Sequence, residues 1–225
     1  MLLTGAFALI ESDRYAFGQF GISQPLVACT ITGCIMGDWT AGLWMGVAFQ
    51  LLWVTFIPVG ASMYTNESVV MAALAAFAAG YGEGRPEVLM ALFLLCIPFT
   101  VAALKTDYLT RSANGLFANF AKQGILSGHY RVAQRFHLVG VALNWLNGIV
   151  IGWSVMLLLL IAYEPIVSLL YRYSMQGGLS LQWLLLPLIG TLFLAHDSFR
   201  DYRSYIYFAI GCVGGVAIIA MGWLS

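Results

Sequence analysis

The chain has 225 residues, of which 61% are hydrophobic and only 9% are charged. A soluble globular chain carries about a quarter charged residues, so this one lacks the polar side chains to cover a water-facing surface. Ten Lys/Arg balance ten Asp/Glu, which gives no basic excess for a nucleic-acid partner. The composition predicts an integral membrane protein, and 24 glycines suit helices that approach closely in lipid.

In chain order, the first apolar run covers residues 1–10 and ends in Glu11 and Asp13. It is about half of the roughly 20 residues that a spanning helix needs. With no basic residues before it, it is not read as a cleavable signal peptide. Residues 25–37 and 68–82 are likewise too short for a comfortable span and too apolar for a water-facing loop. Residues 41–64, 86–104, 138–163, 179–195 and 205–224 are long enough to cross a bilayer. The second of these is interrupted by Pro98, and the third carries Asn144 and Asn147 in its first half. Short or Gly/Pro-interrupted apolar segments are the mark of broken or re-entrant helices, whose freed backbone groups face a polar cavity. The predicted fold is an all-α polytopic membrane protein. It forms one membrane-embedded domain over residues 1–225, with broken or re-entrant pieces among several transmembrane helices.

Residues 105–136 stand apart. Lys105, Arg111, Lys122, Arg131 and Arg135 face a single acid, Asp107, while Leu104, Tyr108, Leu109, Leu116, Phe117 and Phe120 recur at helical spacing. This predicts an interfacial amphipathic helix, and the cation excess places it in the cytoplasm. Glu83, Arg85 and Glu87 fit an outside loop, and Arg200 and Arg203 a second cytoplasmic one. Alternation then puts the C-terminus outside.

Polar residues within apolar spans are functional candidates, because burying them in lipid costs free energy. Gln50 is one: its amide both donates and accepts, which fits a sugar hydroxyl or a helix–helix hydrogen bond equally well. Ser62, Asn66 and Glu67 form a second group where one apolar segment ends and the next begins. Asn66 also suits a helix cap, and Glu67 a solvated acid at a helix start. Asp38 reads as a cap for the helix opening near Thr40. Cys29, Cys34, Cys96 and Cys212 lie in apolar stretches without CxxC spacing and read as small buried hydrophobes. His129, His137 and His196 lack ligand spacing, so no metal site is expected. No motif for a nucleotide, a dinucleotide cofactor or a hydrolytic nucleophile is present.

The stretch from Ser23 to Ala73 reads SQPLVACTITGCIMGDWTAGLWMGVAFQLLWVTFIPVGASMYTNESVVMAA. It resembles the membrane IIC subunit of the mannose/fructose/sorbose family of the bacterial phosphotransferase system. The matching positions are Pro25, Leu26, Val27 and Ala28, then Gly33, Gly37 and Asp38, then Gly42 and Gly46, then Pro58, Val59, Gly60 and Ala61. The resemblance implies a multi-pass subunit of the bacterial cytoplasmic (inner) membrane. In that setting it pairs with a second membrane subunit, IID, to move a hexose-type sugar inward. A cytoplasmic IIAB component phosphorylates the sugar, so this chain is not itself an enzyme and needs no cofactor. The paired complex is expected to be a homo-oligomer. Four positions depart from the family pattern. Gln24 replaces the arginine before the proline, Gln50 replaces the acid of the Gly-spaced helix, and Thr65 and Asn66 replace a P-D pair, with Glu67 next in line. With Gln50, Ser62, Asn66 and Glu67 as candidate sugar contacts, these changes imply an altered substrate. The alternative is a non-transporting scaffold or sensor that keeps the fold.

Overall fold

The computed structural model describes residues 1–16, 18–53, 66–82 and 86–174. The described residues contain no strand and form six helices. These are α1 (Leu2–Tyr15), α2 (Pro25–Met36), α3 (Trp39–Trp53), α4 (Glu67–Tyr81), α5 (Pro86–Leu126) and α6 (Tyr130–Ser174).

Helix α4 is the hub. Every residue from Val69 to Ala78 is buried, and five of these ten are alanine. A helix apolar on every side belongs inside a bundle, and α4 packs against α1, α2, α3, α5 and α6. Small side chains let those neighbours come close, and Thr32 on α2 donates its hydroxyl to the Ala72 carbonyl at 2.8 Å. Fifteen residues rise only about 22 Å, less than the roughly 30 Å hydrocarbon core.

Helices α2 and α3 form a tight hairpin. Pro25 opens α2, where a missing N–H costs nothing. Gly37 closes it in the left-handed region at φ 98°, where a side chain would be strained. Asp38 then caps α3: its Oδ1 accepts from the backbone N–H groups of Thr40 and Ala41, each at 3.0 Å, and from the Thr40 hydroxyl at 2.6 Å. The Thr40 hydroxyl, followed by the Ala41 N–H, holds the Asp38 carboxyl below its ordinary range. Along the hairpin the two backbones touch: a Cβ on Gly33 would lie 2.7 Å from the Gly42 Cα, and one on Gly42 would lie 2.5 Å from the Cys29 carbonyl oxygen. Gly46 meets Leu26 in the same way, at 3.0 Å. The family-like glycines Gly33, Gly42 and Gly46 are therefore contact points between backbones.

Helices α5 and α6 form a second, much longer hairpin. Their 41 and 45 residues correspond to about 60 and 68 Å, roughly twice the hydrocarbon core. Both contain stretches apolar and long enough to cross a membrane. Exposed large side chains, among them Ile97, Val101, Leu146, Trp153, Leu157 and Ile161, lie on these two helices. Large apolar side chains exposed along two helices suit contact with lipid better than with water.

Two sequence expectations take a different form. Pro98 does not end the segment of residues 86–104; α5 runs through it to Leu126. Residues 105–136 are consequently not a separate helix. They are the far half of α5, a turn at Ser127–His129 and the start of α6, with Phe136 stacked on Phe117 and Phe120 at 6.0 and 5.4 Å between ring centres. Of the apolar stripe noted in the sequence, Phe117 and Phe120 meet the other arm, while Tyr108, Leu109 and Leu116 stay exposed. Residues 54–65 and 175–225 lie outside the described residues, and with them Ser62, Pro58, Gly60, Cys212, His196 and the last two apolar segments.

The hairpin contact has a direct test. Gly33→Ala should destabilise the protein by about 1–3 kcal/mol, because backbone on the facing helix cannot move aside as a flexible side chain can. Gly115→Ala on α5, where an added Cβ meets nothing within 4 Å, should be neutral or stabilising by up to about 1 kcal/mol. Thermal unfolding of the two purified variants in detergent compares them.

Candidate functional site

Four helices converge on a polar cluster in an otherwise apolar interior. Glu11 and Arg14 come from α1, three residues apart and therefore on one face. Asn66 and Glu67 come from the start of α4, Asp107 from α5, and Asn144 and Asn147 from α6. All seven are buried, with Asn66 fully enclosed and Asn147 the most accessible at 7%. Close approach of α1 and α6 makes the convergence possible: Gly148 lies against the Phe7 carbonyl and the Glu11 Cβ, each 2.6 Å from where a Cβ would stand.

The bonding is dense. Arg14 Nη2 donates to Glu67 Oε2 at 2.9 Å, and Nη1 lies 3.6 Å from Asp107 Oδ2. Asn66 Nδ2 donates to Glu11 Oε2 at 3.0 Å and to Asp107 Oδ1 at 2.8 Å. Asn147 Nδ2 repeats the pattern from the other side, to Glu11 Oε1 at 2.9 Å and Asp107 Oδ1 at 2.8 Å. Asn144 Nδ2 donates to the Glu11 carbonyl at 3.1 Å. Buried ionised groups persist when paired and hydrogen-bonded; Arg14 pairs with Glu67, and amides bond Glu11 and Asp107. Beside the cluster, Asp13 accepts from the N–H groups of Phe20 and Ser23 at 2.6 and 2.8 Å, which shapes the α1–α2 connection.

A half-open cleft of about 600 Å³ borders the cluster between α1, α5 and α6. Glu11, Asp107, Asn144 and Asn147 line it together with Asn114 and Phe136, and Arg111, Lys122 and His137 add cationic or titratable groups to its wall. Its size falls within the 300–1,000 Å³ of small-molecule sites, and an apolar wall with few polar groups is their usual lining. Among the described residues, no group of three or more His, Cys, Asp or Glu has the arrangement to hold a metal ion.

The residues singled out in the sequence separate into two places. Asn66 and Glu67 enter the cluster. Asn66 occupies the N-cap position of α4, but its side chain makes no capping bond and turns to Glu11 and Asp107 instead. Glu67, in the first turn of α4, is buried against Arg14 and not solvated. Gln50 bonds to α2: its Nε2 donates to Gln24 Oε1 at 3.2 Å, and its Oε1 accepts from the Leu26 N–H at 3.3 Å. Sequence reasoning passed over Glu11, Arg14, Asp107, Asn144 and Asn147 as site residues. Two spacings carried a signal: Glu11 with Arg14, and Asn144 with Asn147, are polar pairs at i, i+3 on apolar helices.

A bundle with exposed apolar side chains, two helices long and apolar enough to cross a membrane, and a buried ionic cluster beside a solute-sized cleft fits a membrane protein. Comparison with known proteins narrows this. The family described as the PTS system sorbose-specific IIC component matches residues 1–220, and the chain belongs to that family. It is 21% identical over 226 residues to the PTS system sorbose-specific EIIC component of Klebsiella pneumoniae, covering 95% of this chain and 83% of that one. Its fold is similar to that of a chain in the cryo-EM structure of the mannose transporter ManYZ with microcin E492. That match has a TM-score of 0.58 at 18% identity and covers 97% of this chain and 93% of the other. A second solved membrane protein matches with a TM-score of 0.56 at 18% identity, covering 97% and 94% of the two chains.

Removing the cation should expose how much the cluster depends on it. Arg14→Met is expected to destabilise the protein by about 3–5 kcal/mol by leaving buried carboxylates without their counter-charge. Adding Glu67→Gln should recover part of that loss, since the two residues share one interaction. Thermal unfolding of the single and double variants measures both terms.

Proposed function

We propose that this chain is the sugar-translocating IIC subunit of a mannose-type phosphotransferase system. In this reading it crosses the bacterial cytoplasmic membrane several times and works with a IID-like membrane subunit in a homo-oligomer of the paired complex. A cytoplasmic IIAB-like carrier phosphorylates the hexose-type sugar as it arrives. Family membership supports the subunit type. The observation that carries the reading further is the buried cluster opening on a 600 Å³ cleft, because sugar hydroxyls need paired donors and acceptors in a dry site. Asn66 and Glu67 are the sugar contacts proposed from the sequence, with Ser62 four residues earlier in the chain; Asn66 bonds directly to two residues of the cleft wall, Glu11 and Asp107. Glu11, Asp107, Asn144 and Asn147 line the cleft beside them. Gln50 is assigned to the α2–α3 hairpin, given its bonds to Gln24 and Leu26.

In the same reading the turn of the long hairpin lies on the cytoplasmic side. Five cations against one acid over residues 105–136 follow the positive-inside bias, and helices twice the thickness of the hydrocarbon core carry those charges beyond it or along its surface.

Two measurements test this. Asn66→Leu in the assembled complex should weaken sugar binding by about ten- to a hundredfold, the loss of one hydrogen bond in a dry site, while Gln50→Leu should change it far less. If Asn66→Leu assembles and takes up the native sugar unchanged, the site is elsewhere; if the wild-type complex takes up no sugar, the scaffold reading replaces this one. A Ser127→Cys variant should react with a membrane-impermeant thiol reagent in inside-out vesicles and not in intact cells. The opposite labelling pattern would invert the topology.

A further inference from the structure

Among the described residues, the cluster contains three carboxyl groups and one guanidinium. Glu11, Glu67 and Asp107 face one guanidinium, that of Arg14, which lies at 2.9 Å from Glu67 and 3.6 Å from Asp107. The remaining contacts of Glu11 and Asp107 in the cluster are amides, which carry no charge. Both Asn66 Nδ2 and Asn147 Nδ2 donate to Glu11 and to Asp107 at once. The two carboxyl groups are therefore held within two hydrogen-bond lengths of each other, from opposite sides of the same pair of amides. Both are almost wholly buried, at 1% and 3% exposure. Two carboxyl groups this close in a low-dielectric site do not both ionise; the second charge is displaced by a proton.

A second observation points the same way. Asn66 is fully buried, and its Oδ1 has no hydrogen-bond partner. Asp107 Oδ2 is a second buried acceptor without a hydrogen bond among the described residues. A proton on the pair removes one charge from the buried site and turns one carboxyl oxygen from an acceptor into a donor.

We infer that Glu11 and Asp107 together bind one proton in the folded protein, making the inner end of the cleft a carboxylic acid–carboxylate pair. The inference is independent of which solute the chain carries. The charged groups around the pair are few. On α1, Arg14 is shared with Glu67, and Asp13 is turned to the N–H groups of Phe20 and Ser23. Helix α4 contributes Glu67; α2 and α3 contain no charged residue. Arg111 and Lys122 from α5 and His137 from α6 stand on the wall of the same cleft.

Infrared difference spectroscopy of the purified assembled protein tests the pair directly. At neutral pH the wild type should show the C=O stretch of a protonated carboxylic acid, and Glu11→Gln and Asp107→Asn should each abolish it. Glu67→Gln should leave it in place. Stability should follow with a definite sign. The folded pair keeps a proton that the unfolded chain releases above the ordinary carboxylate range of about 4. The native state then binds more protons, so the melting temperature falls as pH rises. Glu11→Gln, which copies the protonated acid in shape and charge, should assemble and flatten that slope, whereas His137→Gln should not. Absence of the band in the wild type, its loss in Glu67→Gln, or its survival in both pair variants overturns the inference. So does failure of both isosteric variants to assemble.

Discussion

A charge cannot be left alone inside a membrane, and the ion pair between Arg14 and Glu67 is where this chain meets that constraint. The guanidinium on α1 and the carboxylate at the head of α4 meet at 2.9 Å with 1% and 7% of their side chains exposed. Neither helix could bury its polar end without the other. Helix α1 is 14 residues long and α4 is 15, both shorter than a spanning helix. Their charged ends are therefore inside the bundle and depend on it. Asp107 and the amides of α6 complete the enclosure, so the long hairpin is tied to the short helices by polar contacts as well as by apolar packing.

The rest of the architecture lets those groups meet. Alanines along α4 allow five helices to surround it, and Gly148 lets α1 lie against α6 at the level of Glu11. Such small-residue contacts are the means by which helices associate in lipid, where apolar burial between helices gains little over contact with acyl chains. Close packing and polar clustering are thus one design: the first brings the backbones near enough for short side chains such as Asn66 and Asp107 to reach across.

Much of this was legible in the sequence, for reasons that differ by residue. Composition alone excluded a soluble fold. Pro25, Gly37 and Asp38 mark helix ends by local backbone chemistry, and the structure uses them as a helix start, a left-handed C-cap and an N-cap. Pro98 misled, because a helix held by neighbours can run through a proline that would end an isolated one. The basic stretch divides: Phe117 and Phe120 of its apolar stripe meet the facing arm of the hairpin, while Tyr108, Leu109 and Leu116 stay exposed, and periodicity alone does not tell the two uses apart. The cluster was half visible. Asn66 and Glu67 stood out as polar residues beside an apolar run. Asp107 looked like a lone acid among cations, and Glu11 and Arg14 like the polar end of a short helix. Only tertiary convergence shows that these residues answer one another.

The departures from the family pattern look different once Gln24 and Gln50 are placed. Read along the chain, an arginine and an acid had each become an amide, and the loss of the acid suggested an altered sugar site. In the fold the two amides are partners across the α2–α3 hairpin, bonded at 3.2 Å. A glutamine facing a glutamine sets an amide donor against an amide acceptor without charge. Together with the Leu26 N–H bond to Gln50 it clasps α3 to the start of α2, apart from the carboxyl groups of the buried cluster. The acidity that the pattern places on the Gly-spaced helix is absent from this chain, yet Glu11, Glu67 and Asp107 hold three carboxyl groups in the interior. Among the described residues, the buried carboxyl groups therefore lie on α1, α4 and α5, and the glycine hairpin beside them makes close backbone contacts.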